Sequence, residues 1–229
     1  MTLREQILTC TACALSSKTG VHPVPWSGPA PAELAVIGEA PGAHENAKGE
    51  PLVGPAGRLV QKWWADLGLD WEKTAKLNVV SCYPLGTPDE ESIRACTTNL
   101  WAQLDVIQPK AVLVIGAVAF GCFWPGVPLK TARGQWWNED EVFMGVATYH
   151  PAFVLRQRSM QAEVNKDLAM FKLGVSLLRE GRTPPRVYTT CVMCGKDSTK
   201  RYKGLAFCDW CVSPEEAIKL CFPGTERIM

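Results

Sequence analysis

Three polar side chains lie within or directly after apolar, strand-like runs of the sequence. Glu39 opens a loop rich in glycine and proline, Asn78 lies in a second apolar run, and His150 follows a third. Open α/β sheets place their ligand sites outside the carboxyl ends of their strands. A carboxylate can take up a proton, an amide presents one donor and one acceptor group, and an imidazole can donate. We therefore expect these three side chains to share one ligand site.

The ten cysteines form a second set of candidate functional residues. The sequence predicts an intracellular chain, in which cysteines more often ligate metals or clusters than form disulfides. The pairs Cys191/Cys194 and Cys208/Cys211 are separated by 13 residues, a pattern typical of a tetrahedral Zn²⁺ site in a zinc ribbon. The remaining thiols in spaced positions are Cys10, Cys13, Cys82 and Cys96, and spacing alone leaves zinc, an iron–sulfur cluster and free buried thiols open for them.

The elements that must position these residues alternate between strands and helices. Strands are predicted at 33–38, 76–82, 111–115 and 142–148, and helices at 56–67, 92–107 and 163–178. The first three strands are almost continuously apolar, as in a sheet that is covered on both faces. Alternating strands and helices indicate βαβ units with right-handed crossovers, and hence an α/β fold.

The chain divides into two predicted domains. Residues 1–180 form the larger one, residues 181–186 read as a linker because paired prolines cannot continue a helix, and residues 187–229 form a small zinc-ribbon-like module with four cysteine ligands. A module of about 40 residues buries too little surface to be stable alone, which favours a structural metal.

Charge is distributed unevenly along the chain. Residues 1–155 carry 11 Lys and Arg against 15 Asp and Glu, whereas residues 156–203 carry 11 against 4. A basic stretch directly after His150 is suited to a phosphate-backbone partner, although a solvated helix and linker would have the same composition. The sequence has neither an apolar run of 18 residues nor a signal-peptide pattern, so we expect a cytoplasmic protein with no membrane partner.

Glu39, Asn78 and His150 in this order, together with the cysteines at 10, 13, 82 and 96, resemble the uracil-DNA glycosylase superfamily, most closely its iron–sulfur family four. The resemblance covers residues 10–178. It implies a three-layer α/β/α fold around a mainly parallel four-stranded sheet, DNA as the partner of a monomer, and a [4Fe–4S] cluster on those four cysteines. The implied activity is hydrolysis of the N-glycosidic bond of a flipped pyrimidine, with uracil as the default base.

The resemblance also implies roles for the three polar residues. His150 would donate to the pyrimidine O2, where negative charge collects as the base leaves. Asn78 would pair with N3–H and O4 of uracil, although the same amide turned over could pair with cytosine. Glu39 would either position the attacking water or stabilise positive charge on the sugar. Structural roles remain the alternatives: helix capping or an ion pair for Glu39, bonds to backbone for Asn78, and a surface turn for His150.

The loop around Glu39 supplies further candidate base-binding residues. Those implied by the resemblance are Gly38, Ala40, Gly42, Glu45 and Leu52. Glu45 matches the position that guards the pyrimidine C5 side against a methyl group. Leu52 departs from the family, which usually has an aromatic residue there, and base–aromatic stacking is worth roughly 1–3 kcal/mol. This departure raises the alternative of a pocket reshaped for a bulky 5-modified pyrimidine.

The segment after His150 is the predicted DNA contact. Its candidate residues are Phe153, Val154, Leu155, Arg156 and Arg158. An apolar tip beside a charge could fill the stack that the flipped base leaves, or it could simply be packed. Two alternative functions stay open at this point: excision of modified bases from phage DNA as an anti-phage defence, and non-catalytic DNA binding on a glycosylase fold.

Overall fold

A computed structural model of the protein describes residues 1–139, 142–184, 200–202 and 205–207. The strands are β1 (Leu34–Gly38), β2 (Thr74–Asn78), β3 (Ala111–Ile115), β4 (Trp136–Glu139), β5 (Phe143–Thr148), β6 (Lys200–Tyr202) and β7 (Leu205–Phe207). The helices are α1 (Leu3–Leu8), α2 (Ala43–Lys48), α3 (Pro55–Asp66), α4 (Glu90–Ile107), α5 (Ala117–Phe123), α6 (Leu129–Ala132), α7 (Pro151–Arg156) and α8 (Gln161–Arg179), with a 3₁₀ turn at Arg158–Met160.

The main sheet confirms the α/β prediction and corrects its strand number. Its order is β2-β1-β3-β5-β4, so it has five strands where four were expected. The four predicted strands pair in parallel, and the additional strand, β4, pairs antiparallel with β5 at the edge. β4 was not predicted because it is only four residues long and lacks the apolar run of the buried strands.

Apolar residues on both faces of the central strands explain why helices cover the sheet on two sides. In β1, Ala35 and Ile37 belong to a core that includes residues of α4 and α5, whereas Leu34 and Val36 belong to a second core with residues of α3 and α8. Side chains alternate between the faces of a strand, so a continuous apolar run supplies both cores at once.

Strand β2 is shifted relative to its predicted range of 76–82. It begins at Thr74 and ends at Asn78, which is paired with Gly38 at the end of β1. Beyond Asn78 the backbone N–H groups of Val79 and Val80 donate to the carbonyls of Gly38 and Glu39, both at 2.9 Å. Residues 79–82 are buried but form a loop after β2. Asn78, the last residue of β2, lies at the carboxyl edge of the sheet.

The C-terminal module is represented by the antiparallel pair β6 and β7. The predicted zinc ligands Cys191, Cys194, Cys208 and Cys211 lie outside the described residues, so the zinc ribbon and the division of the chain into domains stay predictions. None of the helices in the described residues has the length and apolar character needed to cross a membrane.

Candidate active site

The carboxyl ends of β1, β2 and β5 border a cleft of about 810 Å³. Glu39, Asn78 and His150 all line it, although they are far apart in sequence. This is the edge at which parallel strands place ligand sites, because loops leaving neighbouring strands meet there. The three side chains predicted to share a site therefore do so.

The amide of Asn78 is available to a ligand in this cleft. Asn78 is only 4% exposed, and its amide makes no hydrogen bond within the part of the chain that the structure describes. Its Oδ1 lies against Gly38, where a side chain of any size would collide with the amide. An amide that lines the cleft without a protein partner offers a donor and an acceptor to a polar ligand.

Glu39 is the first residue after β1 and is half-buried in the cleft wall. Burial raises the pKa of its carboxyl group above the ordinary value. Among the described residues no side chain or backbone group donates a hydrogen bond to this carboxylate. An ionised carboxylate with open acceptor positions can bind a water molecule or face a developing positive charge.

The ring of His150 is oriented by the start of α7. His150 is the N-cap residue of this helix, and its Nδ1 accepts a hydrogen bond from the backbone N–H of Ala152 at 3.2 Å. In the neutral ring the proton must then be on Nε2. Gly116, at a φ of +99°, leaves room for the ring, since a Cβ there would come within 3.1 Å of the His150 ring.

Electrostatics favour the neutral form of this imidazole. Burial lowers the pKa of His150, the Arg156 guanidinium lowers it further, and the Glu45 carboxylate opposes the shift. The cleft therefore holds a neutral ring with an N–H donor at Nε2.

A buried ion pair lies behind the His150 loop. Arg133 bonds Asp167 through both Nε (3.0 Å) and Nη2 (2.9 Å), and the Thr148 hydroxyl donates to the same carboxylate at 2.6 Å. The Arg133 guanidinium also lies over the Tyr149 ring, 4.9 Å from its centroid. Residues 148 and 149 lead directly into His150, so this pair anchors the end of β5 to α8.

The four N-terminal-domain cysteines come from three parts of the fold and are neighbours. Cys10 and Cys13 follow α1, Cys82 lies in the loop after β2, and Cys96 is in α4. Burial, and then the charges of Cys96, Cys13 and Cys10, raise the pKa of Cys82 to about 12. The neutral thiol is therefore favoured at Cys82, and a bound metal or cluster would supply the positive charge that stabilises thiolates there.

Among the described residues, no three His, Cys, Asp or Glu side chains are arranged to hold one metal ion. Sets of four thiolates suit either zinc or an iron–sulfur cluster.

Sequence comparison identifies the family to which this site belongs. Residues 25–173 match the uracil DNA glycosylase superfamily. The chain is a member of this superfamily. The matched region contains Glu39, Asn78 and His150, so the cleft lies within the part of the chain that defines the family.

Individual relatives within the superfamily are similar over most of their length. The Type-4 uracil-DNA glycosylase of Pyrobaculum aerophilum is 32% identical over 179 residues, which cover 74% of this chain and 91% of the relative. The enzyme of the same name from Archaeoglobus fulgidus is 33% identical, over 71% of this chain and 86% of the relative. That from Thermotoga maritima is 34% identical, over 68% and 82%.

The cleft is lined by most of the residues that were predicted to bind the base or the DNA of this glycosylase-superfamily protein. They are Ala40, Gly42, Glu45, Leu52, Phe153, Leu155 and Arg156. Leu155 is 43% exposed and Arg156 is also exposed, as a DNA contact requires. Arg158 is exposed but outside the cleft lining, and Gly38 lies beneath the Asn78 amide.

Among the predicted DNA-contact residues, Val154 is buried. Val154 is 2% exposed and belongs to the core formed with residues of α3 and α8. It lies in a helical turn, in which adjacent residues point in different directions, so Leu155 is exposed while Val154 is packed.

One wall of the cleft was not predicted from the sequence. Residues 83–87, which follow the cysteine at the end of the β2 loop, line it and bring Tyr83 beside the site. The signal that could have found them is their position, since they leave the carboxyl end of the strand that carries Asn78.

Proposed function

We propose that the protein is a DNA glycosylase that hydrolyses the N-glycosidic bond of uracil in DNA and leaves an abasic site. The observation that carries this proposal is the unpartnered Asn78 amide in a cleft shared with Glu39 and a neutral His150. The relatives named as uracil-DNA glycosylases support the same substrate.

Base binding is the first requirement of this reaction. Inside a duplex the glycosidic bond is inaccessible, so the nucleotide is flipped out at a cost of about a few kcal/mol. The Asn78 amide offers a donor to O4 and an acceptor to N3–H of uracil. Because the amide has no partner among the described residues, a base that completes both bonds is favoured over one that leaves either atom unpaired.

Stabilising the departing base is the second requirement. As the bond breaks, negative charge builds up on the pyrimidine and is shared by O2. The Nε2–H of His150 is the donor for that oxygen, and the hydrogen bond between Nδ1 and Ala152 holds the ring in the donating form. A donor that is already oriented needs no reorganisation at the moment of reaction.

Water delivery to C1′ is the third requirement. Glu39 must be ionised to accept a proton from water or to face the positively charged sugar. Its pKa is raised by burial, so a larger fraction is protonated in mild acid than for an exposed glutamate. The same burial makes the ionised carboxylate a more effective partner for positive charge.

The exposed end of α7 is the part of the cleft that would contact DNA. Leu155 is the apolar residue that can fill the gap in the base stack, and Arg156 beside it can meet a phosphate. The proposed wedge is therefore one leucine supported by the packed Val154, with Phe153 turned toward Tyr149 at a ring distance of 5.4 Å.

A [4Fe–4S] cluster on Cys10, Cys13, Cys82 and Cys96 is the second part of the proposal. The mutual effect of these thiols on one another's pKa supports it. Bound there, the cluster would supply a structural brace that joins the N-terminal segment, the β2 loop and α4. The zinc site on the C-terminal cysteines, the cytoplasmic location and the monomeric state are further parts of the proposal.

Excision of a 5-modified pyrimidine, as in a defence against phage DNA, is the second candidate function. Leu52 is the observation that favours it, because it lines the cleft where the family usually has an aromatic ring. A smaller, flexible side chain leaves more room and gives up stacking energy that uracil would use.

The test measures base release from matched oligonucleotides that carry uracil, 5-substituted uracil or 5-substituted cytosine, with cleavage at the abasic site as the readout. Release from the uracil strand is expected, and it should vanish in His150→Ala while DNA binding persists. Release from a modified base alone would establish the second candidate. No release from any pyrimidine, with binding intact, would establish a non-catalytic DNA-binding protein.

A further inference from the structure

Glu45 joins two separate stretches of the cleft wall. Its Oε2 accepts a hydrogen bond from the backbone N–H of Gly42 at 3.1 Å, and its Oε1 accepts one from the N–H of Gly54 at 2.7 Å. Both oxygens of one carboxylate are thus used to connect backbone that is distant along the loop. Hydrogen bonds from backbone N–H groups to an ionised carboxylate are stronger than those between neutral groups.

The surroundings of this carboxylate are built for the contact. Glu45 is only 8% exposed, which is rare for a glutamate without a compensating partner. A Cβ at Gly42 would lie 2.8 Å from Oε2, and one at Gly54 would lie 2.9 Å from Oε1. Only glycine at both positions lets the backbone approach closely enough for these two bonds.

The two stretches that Glu45 connects carry groups of the proposed site. The first limb, residues 39–42, begins with Glu39, and the second limb, residues 52–54, begins with Leu52. Leu52 has a φ of 58°, an uncommon conformation for leucine that the loop has to maintain. The second limb leads directly into α3, which starts at Pro55, so it is fixed on one side by a helix.

We propose that Glu45 is a positioning residue that fixes the separation of these two limbs and thereby holds Glu39 and Leu52 on opposite sides of the flipped base. This inference rests on the proposed glycosylase function. It differs from the role implied by the family resemblance, in which the Glu45 side chain blocks a methyl group at C5. A carboxylate with both oxygens committed to backbone acts on the base through the limbs that it holds.

The activity test compares Glu45→Gln with Glu50→Gln in single-turnover assays on uracil and thymine substrates. Glutamine keeps the size of the side chain but replaces one acceptor oxygen by an NH₂ group, which cannot accept from a backbone N–H. Glu50→Gln removes a charge from the same loop, at an exposed glutamate that makes no hydrogen bond in the described residues.

We expect the catalytic rate of Glu45→Gln on uracil to fall by roughly ten- to a hundredfold, with a smaller change in KM, because misplacement of a catalytic group chiefly slows the chemical step. Thymine should remain uncleaved, and Glu50→Gln should match the wild type. Thymine release at an unchanged uracil rate would overturn the proposal in favour of the blocking role. An unchanged rate on uracil with no thymine release would overturn it as well.

A second measurement is independent of activity. Amide hydrogen exchange at Gly42 and Gly54 should be slow in the wild type and at least about tenfold faster in Glu45→Gln, because each N–H loses or weakens its bond. Unchanged exchange at both amides would overturn the proposal that Glu45 holds the two limbs together, even if catalysis were impaired. If the wild type releases no base at all, the proposed function fails, and the exchange data still decide whether Glu45 holds the limbs.

Discussion

The backbone N–H of Ala152 donates to Nδ1 of His150 over 3.2 Å, and this one contact determines which nitrogen faces the cleft as a donor. A proton on Nδ1 would point at another N–H group, so the doubly protonated ring is disfavoured. Burial and the nearby Arg156 act in the same direction, lowering the pKa of the imidazole. The site therefore favours a neutral histidine whose Nε2–H group acts as a hydrogen-bond donor.

This relationship predicts the titration of His150. NMR of the wild type should give a pKa below the ordinary value of 6.5. Since the Arg156 charge contributes to the lowering, Arg156→Gln should raise the pKa of His150 toward 6.5, whereas Lys172→Gln, which removes an exposed cation from α8, should leave it unchanged. A wild-type pKa at or above 6.5 would show that the neutral ring is not favoured.

The rate of base release should follow the same protonation. As pH falls, activity is lost when Glu39 and His150 take up protons, because Glu39 must be ionised and His150 must be neutral. The pKa of Glu39 is raised from 4.5 and that of His150 is lowered from 6.5, so both losses fall in mild acid. We expect kcat to be constant from about pH 8 to pH 6.5 and to decline below that range. A decline that begins above about pH 7 would contradict the proposed dependence on these two protonations.

Substitution of Leu52 tests the missing aromatic surface. Leu52 lines the cleft, and Leu52→Phe would place a ring where the base can stack. Since stacking contributes roughly 1–3 kcal/mol, kcat/KM on uracil DNA should rise by about fivefold or more. Val106→Phe, a similar change at a half-exposed site on α4 outside the cleft, is the control. A loss of uracil activity in Leu52→Phe would favour the modified-pyrimidine substrate.

The Arg133–Asp167 pair predicts a pH-dependent change in stability. Asp167 is 2% exposed, and burial raises its pKa from 3.8 to about 6, despite the opposing hydrogen bonds from Thr148 and Arg133. Its contribution to stability is thus greatest below pH 3.8 and declines as pH rises through about 6. In Arg133→Met, an ionised Asp167 would be left buried without its partner, at a cost of about 3 kcal/mol.

Denaturant unfolding at two pH values measures this effect. The difference in unfolding free energy between the wild type and Arg133→Met should be large at about pH 8 and smaller at about pH 5, where Asp167 is mostly protonated and needs no cation. Lys130→Met, which removes an exposed charge from α6, should change stability little at either pH. A loss that is equal at both pH values would show that Arg133 stabilises by packing alone.

Metal content tests the cysteine site. Protein purified without oxygen should contain about four irons per chain and show the visible absorption of an iron–sulfur cluster. Cys96→Ser should lose that iron and melt at a lower temperature, since Cys96 links α4 to the other three thiols. Cys122→Ser is the matched control, because this thiol instead donates to the Val118 carbonyl in α5. Iron retained in Cys96→Ser would contradict the assignment.

Sequence patterns predicted the central fold because its strands are buried on both faces. β1 and β3 were found within one residue of their ends, as each is an uninterrupted apolar run between helices. β2 was placed too late, because residues 79–82 are as buried as the strand although β2 ends at Asn78. Periodicity registers burial, and burial here extends beyond the end of the strand.

The candidate site was predictable to the extent that strand ends determine it. Glu39 and His150 were found because each follows a predicted strand, whereas Asn78 was found within one; a position after the strand would also have identified Tyr83. The Arg133–Asp167 pair could not be predicted from the sequence, since it connects residues 34 positions apart through tertiary packing. The bond of Glu45 to Gly42 spans only three residues and follows the capping-box pattern at the start of α2, whereas its bond to Gly54, nine residues away, depends on how the loop after α2 folds back.

The most direct test of the proposed function is single-turnover release of uracil by the wild type and Glu39→Gln, measured beside their affinities for the same oligonucleotide. Glutamine has the size of glutamate but cannot be ionised, so we expect release to fall by about a hundredfold or more while DNA affinity is retained. Equal rates of uracil release in the two proteins would contradict the role given to Glu39 and, with it, this account of the cleft.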